Sequence, residues 1–170
     1  YLRMKIVTFG LSISSAWGNG HATLLRGLFK ALHKMGHEVH FFERDTSYYA
    51  SHRDAWSFDY VHFHLYSDWA QELGSIQKVI GDADVGIVTS YCPDGIGACD
   101  LVKNAHLWRT VFYDMDTPVT LDRLERGQQV PYIPSEGLGA FDLVLSYTGG
   151  KTLDRLREQL GVMRAATLYG

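Results

Sequence analysis

KIVTFGLSISSAWGNGHATLLRGLFKALHKMGHEVHFFE, residues 5–43, changes its hydrophobic period twice. Residues 5–11 are a short, largely apolar run of strand type. Across residues 22–35 the apolar side chains fall at Leu24, Leu25, Leu28, Phe29, Leu32 and Met35, the spacing of one helix face. Gly36 follows the last periodic position as a terminator, and residues 38–43 return to strand character. The spacing predicts strand, loop, helix, strand. At the first handover stand Trp17, Gly18, Asn19, Gly20 and His21, which suit a tight turn, a phosphate cradle, or a loop that aims His21 as a base.

The alternation continues along the chain. Residues 85–89, 110–113 and 143–146 are further short β-favouring runs, and residues 70–80, 95–104, 117–126 and 150–160 have helical spacing. Strands without polar alternation, separated by helices, belong to a parallel sheet covered on both faces. Residues 4–170 are therefore expected to form one doubly wound, Rossmann-like α/β domain, with residues 1–3 left outside the fold reading. Residues 46–69 are rich in aromatic rings, and 59–66 fit a strand or a helix. Those rings either cover the sheet edge or stack on a flat ligand such as a sugar.

Composition narrows the class. A chain of 170 residues that is 46% hydrophobic and 21% charged builds a real core and is neither a disordered tail nor a membrane protein. A formal charge of -3 and the lack of a basic cluster argue against nucleic acid. Cys92 and Cys99 form neither a zinc ribbon nor a disulfide framework, and reduced thiols in the cytoplasm are expected. No transmembrane run and no signal-peptide apolar segment is read.

Ligands of open α/β sheets bind outside the carboxyl ends of the strands. The residues that follow each predicted strand are Ser12, Ser14, Ser15 and the Trp17–His21 loop; Glu43, Arg44 and Asp45; Ser90, Tyr91 and Asp94; Asp114, Asp116, Thr117 and Pro118; and Tyr147, Thr148, Gly149 and Gly150. Together they suggest one cleft. At a helix start His21 is held neutral by the positive end of the helix, ready to accept a proton or serving only as a cap. Asp94, Asp114 and Asp116 are the carboxylates available to orient it. The Asp114 and Asp116 pair also suits a metal or sugar hydroxyls, and Asp116 or Thr117 an N-cap. Gly18-x-Gly20-x-x-Thr23 departs from a dinucleotide fingerprint, although Glu43 lies where a ribose-binding acid would. His62 and His64 alternate on one strand face without a third ligand at a recognisable spacing, and His40 joins no constellation in the sequence. No metal is expected.

Residues 4–45, with "TSYCPDG" at 89–95, "FYDMDTPVTLDRLERG" at 112–127 and "FDLVLSYTGG" at 141–150, resemble GT-B glycosyltransferases, and more narrowly the CgeB-like bacterial glycosyltransferases. The resemblance implies an N-terminal, acceptor-side half of a two-domain enzyme, with the nucleotide-sugar donor held by a C-terminal domain absent from this chain. It places Gly18 and Gly20 near the donor phosphates or transferred sugar. It makes His21 the base of an inverting enzyme, with Asp116 its partner, or a binding residue of a retaining one. Trp17, Asn19, Glu43, Arg44, Tyr91, Asp94, Asp114, Thr117 and Tyr147 complete the expected substrate-binding set. No tightly bound cofactor is implied, the donor being a co-substrate, and the half-chain alone is expected to be inactive. The rival readings are a nicotinamide-dependent oxidoreductase domain and a non-catalytic flavodoxin-like interaction domain.

Overall fold

The computed structural model describes residues 2–170. Strand β1 (Lys5–Gly10) leads through a loop into α1 (Gly20–Lys34), and the chain returns as β2 (Glu38–Arg44). Asn19 closes the start of α1: its Oδ1 accepts from the His21 amide at 3.1 Å, satisfying one of the donors that a first helical turn leaves free. At the far end Gly36, at φ +89°, lets the His37 amide reach back to the Leu32 carbonyl at 3.1 Å. Ala22, Leu25 and Phe29 are the buried stripe of this helix, and Phe29 packs on Phe41 of β2 with ring centres 5.6 Å apart.

There follow α2 (Ser47–Ala50), β3 (His62–Tyr66), α3 (Trp69–Ile80), β4 (Val85–Thr89) and α4 (Gly95–Asn104), then β5 (Arg109–Asp114), α5 (Thr117–Glu125), β6 (Leu143–Ser146), α6 (Lys151–Leu160) and β7 (Ala165–Thr167). The strands form one seven-stranded sheet in the order β3-β2-β1-β4-β5-β6-β7. Every pairing is parallel. Successive side chains point to opposite faces of a strand. Thus Val7, Phe9, Phe42 and Val88 join one core layer, and Val39, Phe41 and Tyr113 join the other beneath α1. This is the doubly wound, Rossmann-like α/β fold.

The strand order runs outward from β1 to β3 on one side and from β4 to β7 on the other. Loops leaving the C-terminal ends of β1 and β4 therefore diverge, and a crevice opens between them. Residues 62–66 form an edge strand, which settles the ambiguous segment. Phe58 makes edge contacts with Tyr60 and Phe63, while Arg26 and Lys30 of α1 lie over the Phe58 and Tyr60 rings. These aromatic side chains close the sheet edge. The elements α2 and β7 escape a periodicity reading because four and three residues are too short to show a period. Among the described residues no helix is long and apolar enough to cross a membrane.

Candidate functional site

The loop after β1 is organised by one carboxylate. Glu43, at the end of β2, is wholly buried. Its Oε1 accepts from the hydroxyls of Ser12 at 2.8 Å and Ser14 at 2.6 Å, and its Oε2 from the amides of Ile13 at 2.9 Å and Ser14 at 3.1 Å. Four donors on two oxygens compensate the removal of the charge from water. Asn19 adds to the bracing through its Nδ2, which donates to the Ser12 and Ser15 carbonyls. Glu43 and Asn19 thus shape the loop from behind, and neither presents a free polar group to a ligand. That corrects the expectation of Glu43 as a ribose acid: its oxygens are taken up by the serine loop.

On the crevice side stands a second group. His21, in the first turn of α1, is half-buried, and its Nδ1 has no hydrogen-bond partner. Burial lowers its pKa below the ordinary value, and the negative charge of Asp116 pulls the other way. Its ring meets Tyr91 edge-on, with centres 5.2 Å apart. The Tyr91 hydroxyl donates to Asp116 Oδ2 at 2.8 Å. Asp116 therefore acts on His21 through its charge, and its direct hydrogen bond goes to Tyr91. Behind it, the Asp116 amide donates to Asp114 Oδ1 at 2.9 Å, while Asp114 Oδ2 is buried without a partner. Burial pushes the Asp114 carboxyl up to about 6, partly offset by the Asp116 amide.

Of this group His21 lines a cleft of about 790 Å³, together with Gly20, Leu24, Met115, Tyr147 and Leu168 among others. Its size and largely apolar wall suit a small-molecule ligand. A β-carbon at Gly20 would meet nothing within 4 Å, so the bare backbone there answers no packing need of the fold. Gly18, at φ +57°, is required by the turn itself.

The remaining expected residues fall into separate places. Asp94 accepts from Arg44 at 3.2 Å and from the Tyr66 hydroxyl at 2.8 Å, forming its own cluster over β2 and β3. Trp17 is half-exposed and stacks on His52 at 3.7 Å between ring centres. Thr117 is fully buried, with its hydroxyl 2.7 Å from that of Ser146. Tyr147 is exposed at the cleft rim.

No protein-family model, curated protein or solved structure matches this chain.

The site's chemistry therefore rests on its geometry. A neutral imidazole on an open cleft can take a proton from a bound hydroxyl, and a carboxylate nearby favours the imidazolium that results. Cys92 and Cys99 are free and buried, and burial pushes both thiols up, Cys99 to about 12, so neither is a nucleophile near neutral pH. Sequence reasoning missed Tyr66, which holds Asp94, and Tyr132, whose ring supports Tyr91 at 5.1 Å. The position of Tyr66 at a strand's carboxyl end was a usable signal; Tyr132 lies in an irregular segment that carries none.

Proposed function

We propose that this chain is the acceptor-side domain of a nucleotide-sugar-dependent glycosyltransferase of the GT-B type. The observation that carries the reading is His21: an imidazole disposed to neutrality by burial, on the wall of a cleft between α1 and the carboxyl ends of β5, β6 and β7, under the charge of Asp116. In the proposed reaction His21 takes the proton of an acceptor hydroxyl, and the oxygen forms a bond to the anomeric carbon of the donor sugar. The bond from that carbon to the nucleotide breaks, and the nucleotide leaves with its electrons. Gly20 leaves room for a ligand to approach the helix N-terminus, where amide groups favour anionic oxygens. Trp17, stacked on His52, offers an aromatic face at the same sheet edge. A second domain supplies the donor's nucleotide site in this reading. The nicotinamide alternative is disfavoured by the enclosure of Glu43 within the serine loop.

The test is ligand-observed NMR of the chain against nucleotide-sugars, free nucleotides, simple glycans and NAD, repeated with His21→Ala and Gly20→Val. Glycan or nucleotide-sugar signals that disappear in both variants support the reading. Binding of NAD with no response to sugars overturns it.

A further inference from the structure

The opposite end of the sheet carries a different cluster. The parallel register of β2 and β3 sets His40 beside His62 and Phe42 beside His64. Glu38 lies two residues before His40 and so shares its face. Its Oε1 stands 2.8 Å from His40 Nε2, and one donor atom from each of Glu38, His40 and His62 lies within 4.8 Å of the other two. On the far side of the ring, His40 Nδ1 is 2.9 Å from His64 Nε2.

We propose that Glu38, His40 and His62 form a zinc site that clamps the edge strand β3 to β2. Two imidazole nitrogens and a carboxylate oxygen, with water in the fourth position, are a donor set that Zn²⁺ accepts in tetrahedral geometry. Bonds of about 2.0–2.1 Å place neighbouring donors about 3.3 Å apart. Glu38 and His40 are already near that separation. His62 is exposed, so its ring is free to turn the remaining distance, whereas His40 is buried and anchored.

The surroundings fit the same assignment. Zinc on His40 Nε2 leaves the ring proton on Nδ1, where it donates to His64 Nε2, the outer contact that orients a metal-bound imidazole. Arg3 holds the other carboxylate oxygen of Glu38 at 3.0 Å, which leaves Oε1 for the metal. Lys5 is paired with Asp82. The exposure of His62 gives the ion a path from solvent. This site is independent of the His21 cleft, which lies beyond the other ends of the strands.

The test is calorimetric titration of the chelator-treated chain with Zn²⁺, and with Co²⁺ followed by its visible absorption. The expected result is one ion bound, with the strong absorption of four-coordinate cobalt. His62→Ala and Glu38→Gln should each weaken binding by about tenfold or more, and His64→Phe by about ten- to a hundredfold. His106→Ala, exposed and outside the cluster, should leave it unchanged. Zinc at about a hundred times its Kd should raise the melting midpoint by about 5–10 °C, and at the same zinc concentration His62→Ala should cut that shift to about half or less. Absence of a saturable single event, or binding that His62→Ala leaves intact, overturns the proposal. Because His62 is a surface side chain, its removal tests the site even if His40 variants fail to fold.

Discussion

Tyr91 donates its hydroxyl proton to Asp116 across 2.8 Å from a backbone at φ +62°, the only non-glycine residue with positive φ among those described. That conformation costs an L-residue about 1–2 kcal/mol, so the loop after β4 holds the phenol in place against a local preference. The result is a bridge that fixes Asp116 beside His21 without pairing the two directly.

Tyr91→Phe should therefore raise the pKa of His21. Without the phenol, the Asp116 carboxylate loses a hydrogen bond that partly neutralises it, and its charge bears more fully on the imidazole. An NMR titration of the His21 ring protons reads the shift directly. A pKa that falls or does not move would show that Asp116 and His21 are not coupled.

Asp114→Asn should stabilise the protein at neutral and alkaline pH. The folded-state pKa of Asp114 is raised to about 6 from an ordinary value of 3.8, so the native state binds more protons between those values. Stability associated with this group is fully present below the unfolded pKa and is lost as pH rises through about 6. Above that pH the buried, half-paired charge costs up to about 3 kcal/mol. The variant's melting midpoint should exceed that of the parent by about 4–10 °C at pH 8 and match it near pH 4. A gap that widens on acidification would contradict the sign.

Glu43→Gln should destabilise strongly. An amide offers one acceptor oxygen, and its NH₂ group would face the hydroxyl or amide donors of Ser12, Ile13 and Ser14. Leaving buried donors unmatched costs about 2–4 kcal/mol in total. Chemical denaturation should show the midpoint falling with an unchanged slope. A variant as stable as the parent would mean that the serine loop does not depend on this carboxylate.

Gly20→Ala separates packing from binding. The new β-carbon meets nothing within 4 Å, and alanine is the better helix former by up to about 1 kcal/mol, so stability should hold or rise slightly. Ligand affinity at the cleft should fall if the ligand approaches this backbone. A variant with reduced stability would instead assign Gly20 a role in the turn.

Period and punctuation in the chain were enough to determine the alternation of strands and helices, the parallel sheet, and the carboxyl-end loops carrying His21, Tyr91 and Asp116. Those signals are local: a helix face repeats within a few residues, and a strand buried on both sides is a continuous apolar run. What depended on register was decided only by the tertiary structure. Pairing β2 with β3 brings His40 beside His62 and His64 of a separate segment of the chain, and folding the serine loop onto β2 encloses Glu43. Likewise Tyr91 reaches Asp116 because β4 and β5 are neighbours in the sheet. Residues separated by twenty or more positions meet according to which apolar faces pack together, and that depends on the whole core rather than on any one segment.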